Sequence, residues 1–176
     1  MGRFDYIFKP LTEADLALLH SWLQRPHVTT GWPSPATLEE LREEYLPAAT
    51  YGAARPFLAY LGGGAIGYIQ YYVVSEGGEA WWPDTPPSGT VGIDQFLADP
   101  SRLGQGLGTS MVEQFAAFLF RDLSISQIRV DPRPDNTRAI RCYLNAGFRR
   151  IGSFTSPDGP AVLMVLDRKN HLEGNA

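Results

Sequence analysis

Polar and apolar residues alternate over residues 3–9, with Phe4, Tyr6 and Phe8 on one face, which predicts an opening strand closed by Pro10 and Thr12. Thr12-Glu13-Ala14-Asp15 reads as a helix start with an acid at the third position. Leu16, Leu19, Trp22 and Leu23 follow at helical spacing, so Trp22 belongs to the core and His20 to the helix surface. Residues 26–35 hold Gly31 and three prolines, and a loop carrying Trp32 is expected there. Thr37-Leu38-Glu39-Glu40 starts a second helix that runs to Tyr45. Its glutamates 39, 40, 43 and 44 form a solvated face, or place one or two carboxylates at the rim of a cation site.

Residues 56–61 and 65–74 flank Gly62-Gly63-Gly64 and predict a hairpin. The periodicity then stops over residues 75–89, which include Glu76, Glu79, Trp81, Trp82 and Asp84. Simple alternation cannot bury both tryptophans: either they plug a sheet end or they wall a binding site beside carboxylates. Residues 90–98 predict a strand, 110–120 a helix, and 127–131 a short strand ended by Pro132. Asp135-Asn136 can cap a helix over 137–145, with Gly147 as its stop signal. Two strands, 148–154 and 161–166, surround the turn Ser156-Pro157-Asp158-Gly159, and the tail from Lys169 is expected to fray. This order predicts one α/β (α+β) domain over residues 1–176, a mixed central sheet of six to seven strands with about four helices on its faces.

The strongest chemical signal in this frame is Leu103-Gly104-Gln105-Gly106-Leu107-Gly108-Thr109, between a strand and a helix. Glycines at alternate positions leave backbone N–H groups unshielded at a helix start, where they have no intrahelical partner and the dipole favours an anion. Such a turn is either a phosphate cradle or only a tight connection. No Gly-Lys-Ser/Thr ending is present, which excludes a Walker A loop. The turn also lies past the middle of the chain and lacks the acid that ends a second strand in dinucleotide folds. A pyrophosphate ligand of another kind remains.

Composition narrows the partners. The 176 residues suffice to bury about 70% of the unfolded surface in one domain. A net charge of −4 and the absence of a Lys/Arg run argue against nucleic acid and anionic membranes, and leave a cationic substrate possible. One cysteine, Cys142, excludes an internal disulfide and a cysteine zinc cage, and His20, His27 and His171 show no metal spacing. No signal peptide, myristoylation site or 18-residue apolar run is visible, so the cytoplasm is the expected compartment.

The glycine turn and its helix, together with Asn136-Thr137-Arg138-Ala139 and Tyr143-Leu144-Asn145-Ala146-Gly147-Phe148, resemble the GNAT acyl-coenzyme A N-acyltransferases over nearly the whole chain. Within them the chain is similar to the aminoglycoside 6'-N-acetyltransferases. That similarity rests on Glu44-Tyr45-Leu46-Pro47, Ile66-Gly67-Tyr68, Trp81-Trp82, Gly92-Ile93-Asp94-Gln95, Arg138-Ala139-Ile140-Arg141-Cys142-Tyr143 and Pro157-Asp158-Gly159-Pro160-Ala161-Val162. One departure is Leu103, where many members carry Gln or Arg; backbone N–H groups still serve there, and Arg102 stands beside it as a cation.

The resemblance implies a GNAT fold whose central strand splays from its neighbour, with acetyl-coenzyme A as co-substrate, no metal, and an aminoglycoside as partner of a monomer or homodimer. It implies coenzyme contacts from Phe96, Leu97, Arg102, Leu103, Gly104, Gln105, Gly106, Leu107, Gly108, Thr109, Asn136 and Arg138. Asp94 is the implied proton relay, or a structural aspartate bonding backbone amides. Tyr143 is the implied general acid toward the departing thiolate, or a core tyrosine. Trp32, Glu79, Trp81, Trp82, Asp94, Asp131 and Asp158 are the implied acceptor contacts, since a polyammonium sugar wants carboxylates and stacking rings. Phe96, near the turn, is a candidate for narrowing the pocket against bulkier 1-N-substituted drugs. The alternatives are another GNAT acceptor (a siderophore hydroxylamine, a polyamine or a protein N-terminus) or a non-catalytic acyl-coenzyme A sensor.

Overall fold

Seven strands, β1 (Tyr6–Pro10), β2 (Arg55–Leu61), β3 (Gly64–Val73), β4 (Thr90–Leu97), β5 (Gln127–Val130), β6 (Arg149–Ser156) and β7 (Gly159–Asp167), form one sheet in the spatial order β1-β2-β3-β4-β5-β7-β6. The computed structural model describes residues 4–32, 35, 37–46, 54–74 and 81–173. Every neighbouring pair is antiparallel except β4 and β5, which run parallel. That parallel pair extends only from Thr90↔Gln127 to Gly92↔Arg129, whereas β4 pairs with β3 from Val91 to Leu97. Beyond Gly92 the two central strands part, which is the splay that the resemblance implied.

The α-helices among the described residues are α1 (Leu16–Leu23), entered through a 3-10 turn at Glu13–Asp15, α2 (Pro26–Thr29), α3 (Leu38–Tyr45), α4 (Leu107–Leu119), α5 (Thr137–Asn145) and α6 (Arg168–Glu173), with a second 3-10 turn at Pro100–Arg102. Both expected starts are capping boxes. Asp15 Oδ2 accepts from the Thr12 N–H at 2.9 Å, and Glu40 N–H and Thr37 Oγ1 bond at 3.2 Å. Two helices stand where none was expected. The α2 turn begins on Pro26, whose missing N–H costs nothing at the first helical position. The α6 turn replaces the expected frayed tail, because Arg168 Nε donates to the Ile125 carbonyl at 2.8 Å and its guanidinium lies 5.6 Å from the Phe120 ring.

The two sheet faces carry different cores. Ile69, Val91, Ile93 and Ile128 pack under α4 and α5 through Val112, Phe115, Leu119 and Tyr143. Leu58 and Tyr68 pack on the other face against Leu19, Leu23 and Leu41 of α1 and α3. Period-two alternation therefore sends Asp94 and Phe96 toward the α1–α3 side and Gln95 toward the α4–α5 side. This partition fixes which chemistry stands on which side of the splay.

Candidate active site

The turn into α4 is set by two glycines in the left-handed region, Gly104 at φ 76° and Gly106 at φ 79°, the latter the N-cap of the helix. A side chain would be strained at either position. No heavy atom lies within 4 Å of where a Cβ would stand at either one. The turn is therefore open on the side where the first N–H groups of α4 lack intrahelical partners. The helix begins at Leu107, earlier than the sequence pattern suggested, because Gly106 supplies the required conformation.

A cleft of about 430 Å³ runs from this turn along β4. Its walls include Leu103, Gly104, Gly108 and Thr109 from the turn, Gln95, Phe96 and Leu97 from β4, and Asn136, Arg138 and Cys142 from α5. Asn136 also caps its helix, with Oδ1 accepting from the Ala139 N–H at 3.1 Å. Four residues expected at the coenzyme do not line the cleft. Gln105 folds back, its Nε2 donating to the Ser101 carbonyl at 2.8 Å. Leu107 packs into the core against Met111 and Leu97, leaving only its backbone available. Gly106 acts through its conformation, and the charge of Arg102 acts on Tyr6 and Asp99.

His27 and Arg133 also line the cleft and were not anticipated. His27 Nε2 lies 2.9 Å from the Leu97 carbonyl; a carbonyl only accepts, so Nε2 carries the hydrogen. No spacing in the sequence links positions 70 residues apart. The Ala98 N–H bonds Ile66 on β3 at 2.9 Å, so antiparallel alternation turns the backbone groups of Ile93, Gln95 and Leu97 toward the splay.

Asp94 stands at this opening. It keeps some accessible surface but lies deep among protein atoms, and burial pushes its carboxyl up to about 6. Gln70 opposes the shift, its Nε2 donating to Asp94 Oδ2 at 3.1 Å, while the negative charge of Asp131 adds to it. Tyr68 Oη donates to Gln70 Oε1 at 2.6 Å, so the amide must turn its NH2 toward Asp94. Asp94 therefore bonds a side chain, not the backbone amides of the structural alternative. Tyr143, on α5, is both a core residue, packed 5.4 Å from Phe148, and a neighbour of the site through Gln95. Burial, with Asp94 second, holds its phenol well above 10, so it stays protonated.

Carboxylates and rings gather beyond Asp94. Asp131 accepts from the Trp81 indole N–H, and burial raises its pKa, with the charge of Asp158 adding to the shift. Asp158 is exposed in the β6–β7 turn, where its N–H bonds Ser156 Oγ at 3.2 Å; turn and charge roles coexist. Trp32 packs edge-on to Phe96 at 5.2 Å and to Tyr68 at 5.5 Å, and its indole N–H bonds Tyr45 Oη at 2.6 Å. The two adjacent tryptophans divide: Trp81 is 38% exposed, but Trp82 is 3% exposed and packs on Leu163 and Val165. Trp82 thus plugs the sheet, its ring filling the core between β7 and Arg129, whose guanidinium lies 5.1 Å away, while its indole, like that of Trp81, acts on the Asp131 carboxylate. Glu79 lies outside the described residues.

Residues 12–156 match the acetyltransferase (GNAT) domain. The chain belongs to the GNAT acetyltransferases. It is 45% identical over 163 residues to the aminoglycoside N(6')-acetyltransferase type 1 of Klebsiella pneumoniae, covering 90% of this chain and 81% of that protein. A kanamycin resistance protein of Rhizobium radiobacter is 52% identical over 89 residues, 51% of this chain and 82% of that one. The crystal structure of AAC(6')-Ib with coenzyme A and kanamycin superposes with a TM-score of 0.91 at 44% identity, covering 98% of this chain and 100% of that one. Among the described residues no His, Cys, Asp and Glu side chains group as a metal site, and no helix is long and apolar enough to cross a membrane.

Proposed function

We propose that the chain is a cytoplasmic enzyme, monomeric or homodimeric, that transfers the acetyl group of acetyl-coenzyme A to the 6'-amino group of kanamycin- and tobramycin-type aminoglycosides, and so confers resistance. The observation that carries this reading is Asp94, fixed by Gln70 at the mouth of the β4/β5 splay, with Asp131 close enough to raise its pKa. Two interacting carboxylates beside Trp81 suit an acceptor that presents several ammonium groups. The relatives named for aminoglycosides support the same acceptor class.

The turn residues Leu103, Gly104, Gly108 and Thr109, with Asn136 and Arg138, fit a coenzyme whose pyrophosphate needs unshielded N–H groups at a helix start. The coenzyme supplies the acetyl group as a thioester. The backbone N–H groups that β4 turns into the splay can polarise the thioester carbonyl. Asp94 receives the ammonium of the acceptor and passes its proton on to water, a role better served near 6 than at the ordinary 3.9 of an aspartate. Tyr143 keeps a proton on Oη at working pH, available to the departing sulfur.

The test is thiol release from acetyl-coenzyme A with kanamycin, wild type beside Asp94→Asn. Rapid release by the wild type, reduced about 100-fold or more in the variant, is expected. An unchanged variant would remove Asp94 from proton relay. No release with kanamycin or tobramycin would overturn the acceptor class.

A further inference from the structure

Arg129 is a cation on the interior of the sheet: its side chain is 4% exposed, and the carboxylate that neutralises it comes from the segment beside the tryptophans. Nη1 and Nη2 grip both oxygens of Asp84 at 2.7 and 2.9 Å. Nε donates to Gln127 Oε1 at 2.7 Å, and Gln127 Nε2 in turn donates to Asp167 Oδ1 at 2.7 Å. The guanidinium plane is thereby fixed from the sheet side, with the Trp82 ring 5.1 Å away. Stability is a weak reason for such a pair, since the Asp84 side chain is 53% exposed and water screens the attraction. A bidentate fork does confer a defined orientation.

Asp84 is three residues from Trp81, and Arg129 is two from Asp131, which follows directly on β5. Alternation continued one step past the strand puts Arg129 and Asp131 on one face, about 7 Å apart along the chain. Holding Asp84 therefore holds Trp82 against the sheet and sets Trp81 where its N–H reaches Asp131. Asp84 also screens the Arg129 charge, which would otherwise repel an ammonium bound at Asp131.

We propose that the Asp84–Arg129 pair is a positioning device for the acceptor site, orienting the Asp131 carboxylate through Trp81 to receive an ammonium group of the acceptor. This rests on the acceptor being a polycationic aminoglycoside.

The test is steady-state kinetics with kanamycin and acetyl-coenzyme A on the full chain, for Asp84→Asn, Trp81→Phe and the two combined, with thermal unfolding alongside. Asp84→Asn is expected to raise the kanamycin KM about tenfold while kcat and the acetyl-coenzyme A KM stay within about twofold. The combined variant is expected to be no worse than Asp84→Asn within about twofold, because both substitutions break one contact. Arg129→Met with Asp84→Asn removes the buried charge together with its partner; it is expected to fold and to keep the raised kanamycin KM. An active wild type whose kanamycin KM is unmoved in Asp84→Asn overturns the proposal, as do fully multiplicative effects of Asp84→Asn and Trp81→Phe. A pair that only stabilises the fold would lower Tm and leave both KM values alone, which also overturns it. A wild type that does not acetylate kanamycin is a separate result, and sinks the acceptor reading itself.

Discussion

Asp94 ionises near 6 in the folded chain, against about 3.9 when solvated, because burial outweighs the hydrogen bond from Gln70. A carboxyl whose pKa is raised by folding contributes stability that is fully present below about 4 and is lost as pH rises through about 6. At pH 7.5 the charged, buried Asp94 costs about 3 kcal/mol. Asp94→Asn should therefore melt higher than wild type at pH 7.5, with the gap closing toward pH 4; calorimetry at the two pH values checks this. Wild-type kcat/KM with kanamycin should fall about tenfold per pH unit below about 6, since the relay needs the carboxylate. Phe96 stacks on Tyr68 at 5.4 Å and lines the cleft, so Phe96→Leu opens space beside Trp32. The expected outcome is a changed ratio of kcat/KM between kanamycin and amikacin, and an unchanged ratio would take Phe96 out of the acceptor space. Asp94 was legible through the resemblance, in the motif Gly92-Ile93-Asp94-Gln95. Gln70 was not, because in the sequence it is one more position in a hairpin strand, and only the pairing Gln70↔Asp94 across β3 and β4 gives it a role.

At the scale of elements, the strand–turn–helix of β4 and α4 does most of the positioning. The left-handed Gly106 both starts α4 and keeps the turn open. Gly106→Ala should cost about 1–2 kcal/mol of stability and raise the acetyl-coenzyme A KM severalfold, with the kanamycin KM unaltered. Denaturant unfolding and bisubstrate kinetics check the two parts separately. Gly92 has a different reason: a Cβ there would come within 2.1 Å of the Tyr72 ring, which lies across β4. The long helices and most strands were legible because capping residues and periodicity agreed. The α2 and α6 turns were not, because tertiary contacts decide them: Arg25 donates to the Ala98 carbonyl at 2.5 Å, and Arg168 reaches the Ile125 carbonyl. The order of the last strands was equally hidden, since β7 inserts between β5 and β6.

Over the whole molecule, the net charge of −4 is small, but Asp94, Asp131 and Asp158 interact electrostatically at one end of the sheet. Attraction between that end and a polycation should be screened, so the kanamycin KM is expected to rise severalfold between 50 and 500 mM KCl. A salt-independent KM would argue that stacking, not charge, holds the acceptor. By itself the sequence determined the class of fold, the glycine turn and the apolar stripes, because each depends on residues close in the chain or on a repeating period. The tertiary structure alone decided which groups meet. It parted β4 from β5 beyond Gly92, set Gln70 against Asp94, and brought His27 to the Leu97 carbonyl. It also sent Trp82 inward and Trp81 to Asp131, because Arg129 and Asp84, 45 residues apart, close on each other. Contacts across such distances in sequence follow from packing of the whole chain, and local pattern carries no record of them.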